Sequence, residues 1–154
     1  MHQGLPDYPL PTQGPDHQRQ VWDPIRRRWV LLTPEEGVRQ RLIRFLVEEK
    51  NIVPGLISVE REIRYFQTRR RFDIVVFSRQ GTPFLLCECK APDITLTEST
   101  LEQIARYNLV LQAPHLLVTN GHQRWFFSLG ADGGYHDQPS GWYSQPGAPP
   151  ETNG

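Results

Sequence analysis

The chain has 154 residues with 17 basic and 17 acidic side chains, a formal net charge of zero, and 38% of its residues are apolar. That length supports one domain with its own core rather than two, and the balanced charge argues against a protein that coats nucleic acid. No apolar run approaches the ~20 residues of a membrane span, and residues 1–20 lack the segments of a signal peptide, so the expected location is the cytoplasm.

Residues 1–20 carry four prolines and two glycines without periodicity, which reads as a flexible arm. Residues 21–32 alternate apolar positions around Asp23-Pro24, as a short hairpin or extended strand does. Thr33-Pro34-Glu35-Glu36 is a helix start, with a capping threonine, proline at the first position and acids in the first turn. Val38, Leu42, Ile43, Leu46 and Val47 continue at helical spacing until Asn51 and Pro54-Gly55.

Residues 56–66 read as a strand, and residues 67–70 as a polar turn. Two further strands follow at 71–78 and 83–90, hinged at Gln80-Gly81. Thr97 or Ser99 can cap a second helix running to about Gln112, with Leu101, Ile104, Ala105, Leu109 and Val110 on one face. Residues 115–119 form a buried strand, Asn120-Gly121 a tight turn, and residues 124–129 another strand. From residue 131 onward Gly, Pro, Ser and Asp dominate, so 131–154 is expected to be a disordered tail, with Trp142 and Tyr143 able to dock on the domain or a partner. The expected domain is therefore residues 21–130, an α/β fold in the order α-β-β-β-α-β-β with a central mixed sheet flanked by helices.

Charged residues stand where the middle strands should be apolar. Asp73 opens one, while Glu88 and Lys90 close the next and share a face by period-two alternation. Buried acids and lysines are costly unless paired or metal-bound, so this trio marks a chemical site, with a salt-bridge network at the sheet end as the plainer alternative. Cys87 and Cys89 lie on one face of one strand, which suits neither an intrachain disulfide nor a zinc site; they are expected to be buried thiols. His115 and His122 have no ligand partners at metal-binding spacing. Arginines cluster at 26–28, at 39, 41 and 44, and at 69–71, either as phosphate contacts or as solvated patches.

Asp73, followed after fourteen residues by Glu88-Cys89-Lys90, resembles the PD-(D/E)XK nuclease pattern, with Phe72 replacing the leading proline. Gln103 and Tyr107, one helical turn apart, resemble the Gln-x3-Tyr motif of type I restriction enzyme R subunits. Asp23-Pro-Ile-Arg, Thr33-Pro-Glu-Glu and Val118-Thr-Asn-Gly extend the similarity to stand-alone proteins related to the N-terminal domain of those subunits, over residues 21–129.

The resemblance implies a restriction-endonuclease-like fold and an Mg²⁺-dependent endonuclease acting on DNA, with Mn²⁺ as a possible substitute. Asp73 and Glu88 then supply hard oxygen ligands, with the backbone carbonyl of Cys89 as a third. Lys90 positions water or stabilises transition-state charge, and Glu36, Gln103 and Tyr107 support it, although Glu35 is an equally available neighbour of Glu36. Glu60 and Glu62 are further acids that no spacing selects. A homodimer is one expected assembly. No Gly-x4-Gly-Lys-[Ser/Thr] loop is present, so a separate helicase or specificity subunit is another. The competing reading is a non-cleaving DNA-binding or assembly module that keeps the fold.

Overall fold

The computed structural model describes residues 3–65 and 68–143. Its strands are β1 (Thr12–Gln13), β2 (Gln20–Asp23), β3 (Arg28–Leu31), β4 (Ile57–Tyr65), β5 (Thr68–Phe77), β6 (Pro83–Cys89), β7 (His115–Thr119), β8 (Arg124–Leu129) and β9 (Tyr135–Asp137). Helix α1 (Pro34–Arg44) precedes β4 and α2 (Glu98–Leu111) lies between β6 and β7. The architecture is mixed α/β, with a three-stranded sheet β1-β2-β3 and a six-stranded sheet β4-β5-β6-β7-β8-β9. Among the described strands only β6 and β7 pair in parallel, and α2 makes the crossover that a parallel pair requires.

Both helices start where the sequence places their caps. Thr33 Oγ1 accepts the Glu36 amide at 3.1 Å with Pro34 at the first helical position, and Thr97 forms a reciprocal box with Thr100. Helix α1 does not stop at its C-terminus but continues as a π-helical segment, Phe45–Glu49. The central sheet is buried on two faces. Leu85, Cys87 and Cys89 pack with Val38, Leu42 and Leu46 of α1, and the alternate residue Leu86 packs with Ile104 of α2. Both cysteines are free and buried, and burial raises their thiols further from ionisation.

Three expectations differ from the structure. The N-terminal arm is not loose: Leu5 is buried, its amide donates to Gly121 O at 2.9 Å, and its carbonyl accepts from Arg41 Nη2 at 2.8 Å. The segment read as a polar turn at 67–70 is mostly strand, since β5 begins at Thr68; residues 66–67 lie outside the described part. The first thirteen residues of the expected tail are also ordered. Strand β9 pairs with β8, and Trp142, 9% exposed, packs between Phe45 and Phe126 with ring centroids 6.0 and 5.0 Å away. Residues 144–154 of that expected tail lie outside the described residues.

Arg124 ties both ends to the domain, donating to Gly4 O and Gly141 O at 2.8 and 3.0 Å. Because the indole fills space under the π-helical segment, Trp142→Ala is expected to cost about 3 kcal/mol, read from urea unfolding midpoints. A loss under ~0.5 kcal/mol would mean the segment merely rests on the surface.

Candidate active site at the end of the central sheet

Asp73 sits where the sheet narrows. The β4–β5 ladder pairs Val59 with Ile74 and Arg61 with Phe72 but skips the pair between them, Glu60 and Asp73. Glu60 has φ of 52°, a left-handed conformation that an ordinary side chain adopts at some cost and that favours an irregular ladder. On its other side, Asp73 replaces a ladder bond with its side chain: Oδ2 accepts the Cys89 amide at 2.8 Å. Oδ1 accepts from Arg39 Nη2, also at 2.8 Å. Both carboxylate oxygens are therefore held from opposite sides, by β6 and by α1.

Glu88 and Lys90 share one face as alternation requires, with Lys90 Nζ 3.6 Å from Glu88 Oε1. The Lys90 amide donates to Thr119 O at 2.9 Å, which carries the β6–β7 ladder one residue past the strand. Burial pushes the Glu88 carboxyl up to about 8, the Asp73 charge and a hydrogen bond to Asp73 add to this, and Lys90 only partly opposes it. The Glu88 carboxyl beside the Asp73 carboxylate makes this an oxygen-rich point at the cleft.

That donor set fits a hard divalent cation. Among the described residues no three His, Cys, Asp or Glu side chains gather as a metal cage. Mg²⁺ commonly takes only one or two carboxylates and keeps waters or substrate oxygens for the rest.

The linkage has a defined sign. Folded Glu88 keeps its proton to about pH 8, whereas an unfolded glutamate loses it near ~4.3. The unfolded chain therefore binds fewer protons between these values, and stability falls as pH rises across that window, by at most ~1.4 kcal/mol per unit. Thermal melts in chelator from pH 5 to 8 are expected to show this decline, and Glu88→Gln is expected to flatten it. A wild-type melting temperature that rises over that range contradicts the assignment.

A second layer of charge supports Asp73. Arg39 Nη1 lies 3.1 and 3.2 Å from the two oxygens of Glu36 and 3.4 Å from Glu60 Oε1. Arg26 reaches Asp23, Glu36 and Glu60, with its Nη1 3.1 Å from Glu60 Oε2. Burial opposes the charge of both arginines, yet the carboxylates around them outweigh it and raise them. Asp23 also closes its own turn, accepting the amides of Ile25 and Arg26 at 2.7 and 2.9 Å.

The placement of the expected site residues is uneven. Asp73, Glu88, Cys89 and Lys90 come together. Gln103 lines the same cleft as Lys90, Glu35 and Thr97, with a volume of about 730 Å³. Its amide donates to Tyr107 Oη at 3.0 Å, and no bond joins it to Lys90 among the described residues. Tyr107 packs beside Phe72 beneath the Arg70 guanidinium, away from that cleft's lining.

Glu36, favoured as the helix-start acid, is buried between Arg26 and Arg39. The acid that faces the cleft is Glu35, whose carboxyl is raised by burial and by Asp73 and lowered in part by Arg39 and Lys90. Sequence reasoning took Arg26 and Arg39 as members of basic clusters, phosphate contacts or solvated patches, and left Glu60 unselected, whereas all three join this network. The i,i+3 and i,i+4 spacings of Glu36 and Glu35 to Arg39 carry the signal for Arg39.

The arginine clusters also divide. Arg26 and Arg39 are committed to the network, Arg41 to the N-terminal segment, and Arg44 to Glu48 at 3.8 Å. Arg27 and Arg28 remain exposed, as do all three residues of the cluster at 69–71.

A family model described as type I restriction enzyme R protein N terminus (HSDR_N) matches residues 34–138. No curated protein matches the chain. Among solved structures, a fragment assigned as an HsdR subunit of a type I restriction enzyme from Vibrio vulnificus YJ016 is similar, with 16% identity and a TM-score of 0.49. The similarity covers 71% of this chain and 24% of that one, so the chain spans about a quarter of that relative's length. No helix among the described residues is long and apolar enough to cross a membrane.

Proposed function

This chain belongs to the family of type I restriction enzyme R protein N termini, and we propose that it is a DNA endonuclease of PD-(D/E)XK type with a restriction-endonuclease-like fold, working in a restriction system. The observation that carries the reading is the convergence of Asp73, Glu88 and Lys90 where the β5–β6 ladder ends, with Cys89 N meeting Asp73 at 2.8 Å and Lys90 meeting Glu88 at 3.6 Å.

Asp73 and Glu88, with the Cys89 carbonyl, are the residues that would hold Mg²⁺ or Mn²⁺. Such an ion supplies Lewis-acid polarisation of the phosphate and a water of lowered pKa. The chain's own residues do the remaining work. Arg39 and the Cys89 amide fix the Asp73 carboxylate so that it needs no reorganisation. Lys90 presents an ammonium to the cleft, where charge develops on the phosphate oxygens. Gln103, in the lining of the same cleft, would hold the substrate backbone.

One observation favours a second reading, a DNA-binding or assembly module that does not cleave alone. Both Asp73 oxygens already accept hydrogen bonds, and Glu36 is wholly engaged by arginines. In that reading a separate motor or specificity subunit completes the site, or a second copy of this chain does. The test is supercoiled plasmid incubated with purified protein and Mg²⁺ or Mn²⁺, beside a calorimetric titration of each metal. Nicking that chelator stops supports the nuclease. Absence of both nicking and metal binding removes it.

A further inference from the structure

The strands that carry Asp73 do not end at the site. Strands β5 and β6 pair only over residues 74–77 of β5, whereas β4 and β5 continue to pair down to Tyr65 and Thr68. Residues 61–65 and 68–72 therefore leave the six-stranded sheet as a two-stranded ribbon, with Asp73 and Glu60 at its base. This ribbon carries five arginines and one glutamate in a chain whose net charge is zero.

Register divides the arginines between two faces. Arg61 and Arg70 share one face, where Arg61 lies over the Phe77 ring at 5.4 Å and Arg70 over the Tyr107 ring at 4.7 Å. Tyr107 is bonded to Gln103 of α2, so this face packs toward that helix. Arg64, Arg69 and Arg71 share the other face and are exposed, and Arg71, two residues before Asp73, joins that face to the candidate site. Arg64 stands directly opposite Arg69, and like charges directly opposite one another destabilise a strand pair. Glu62 offers Arg69 a contact at 3.5 Å, an exposed pair of little worth. Glu62 stands opposite Arg71 in the register, yet its contact is to Arg69, and among the described residues neither Arg64 nor Arg71 forms an ion pair. Protection of an exposed strand edge calls for charge, but not for two guanidiniums facing each other.

We propose that this ribbon is a duplex-binding element that grips the DNA backbone through Arg64, Arg69 and Arg71 and sets the scissile strand in the cleft at Lys90. The inference rests on the nuclease reading for the identity of the polymer. A two-stranded ribbon fits the major groove of B-form DNA, whereas the narrow major groove of an RNA helix excludes it. Guanidinium groups keep their charge and pair bidentately with phosphate, which repays the repulsion built into the ribbon.

The experiment is equilibrium binding of a labelled short duplex in chelator, by anisotropy, over about 50 to 200 mM salt. The slope of log K against log salt is expected to fall by about 2 to 3 in the triple variant Arg64→Ala/Arg69→Ala/Arg71→Ala. Arg79→Ala, in the turn at the far end of the same strand, is expected to leave it unchanged. Should the triple variant melt early, Arg71→Ala alone is expected to lower the slope by about 0.9.

A wild type that does not bind duplex, an unchanged slope, an equal fall in Arg79→Ala, or an equal loss with single-stranded DNA each overturns the proposal. Binding in chelator involves no chemistry, so the two readings fail separately. A wild type that binds with the expected slope but never nicks plasmid loses the nuclease and keeps the ribbon; nicking with an unchanged slope does the reverse.

Discussion

If the proposed nuclease reading holds, Lys90→Ala is expected to lower the rate of plasmid nicking by about 10² to 10³ while changing Mg²⁺ affinity far less. The ammonium lies at the cleft wall, and the Asp73 carboxylate is held by Arg39 and the Cys89 amide rather than by Lys90. Its loss therefore removes charge stabilisation from the reacting phosphate and leaves the oxygen ligands in place. A second consequence separates this from damage to the fold. Lys90 is the positive neighbour that draws the Glu88 carboxyl down from a value already pushed up to about 8 by burial and Asp73. Without it Glu88 holds its proton to higher pH, so the residual activity of the variant shifts its acid limb toward alkali. Rate against pH for both proteins, with melting temperature as a control, reads both effects. A variant that nicks at the wild-type rate removes Lys90 from the chemistry.

The fold was most legible where apolar runs are bounded by turn residues. Strands β7 and β8 fall at the expected bounds because a buried segment ends at Asn120-Gly121, and Gly121 takes φ of 90°. The caps at Thr33 and Thr97 were legible for the same local reason. Most of the ribbon was legible as strand, within 56–66 and 71–78, but residues 68–70 were not, because consecutive arginines erase the alternation that marks a strand and made 67–70 look like a turn. The docked ends failed differently. Proline and glycine argue for disorder over residues 1–20 and 131–154, yet Leu5 and Trp142 fill distant parts of one core, and Arg124 binds a carbonyl from each end. No local pattern records such a contact. Within the candidate site, parity placed Glu88 beside Lys90, and strand adjacency placed Asp73. The choice between Glu35 and Glu36 depends on how α1 is rotated against the sheet, which spacing does not fix.

Arg39→Met is expected to destabilise the protein by about 3 to 5 kcal/mol at neutral pH, the range for removing one partner from a buried ion pair. Arg39 is 6% exposed, and its guanidinium bridges Glu36 and Asp73 with Glu60 beside them. Methionine fills much of the same volume, so the loss measures charge rather than a cavity. Glu36 keeps Arg26 as a partner, whereas Asp73 loses the one cation paired with it among the described residues. The deficit therefore concentrates on Asp73, next to a Glu88 already short of positive charge. Urea titrations at neutral pH measure this deficit. Arg39→Lys keeps the charge but not the planar fork that spans both carboxylates, and should fall between the two. A loss under ~1 kcal/mol in Arg39→Met would assign Arg39 a packing role. A full loss that Arg39→Lys recovers in part identifies it as the charge that fixes the Asp73 carboxylate between α1 and β6.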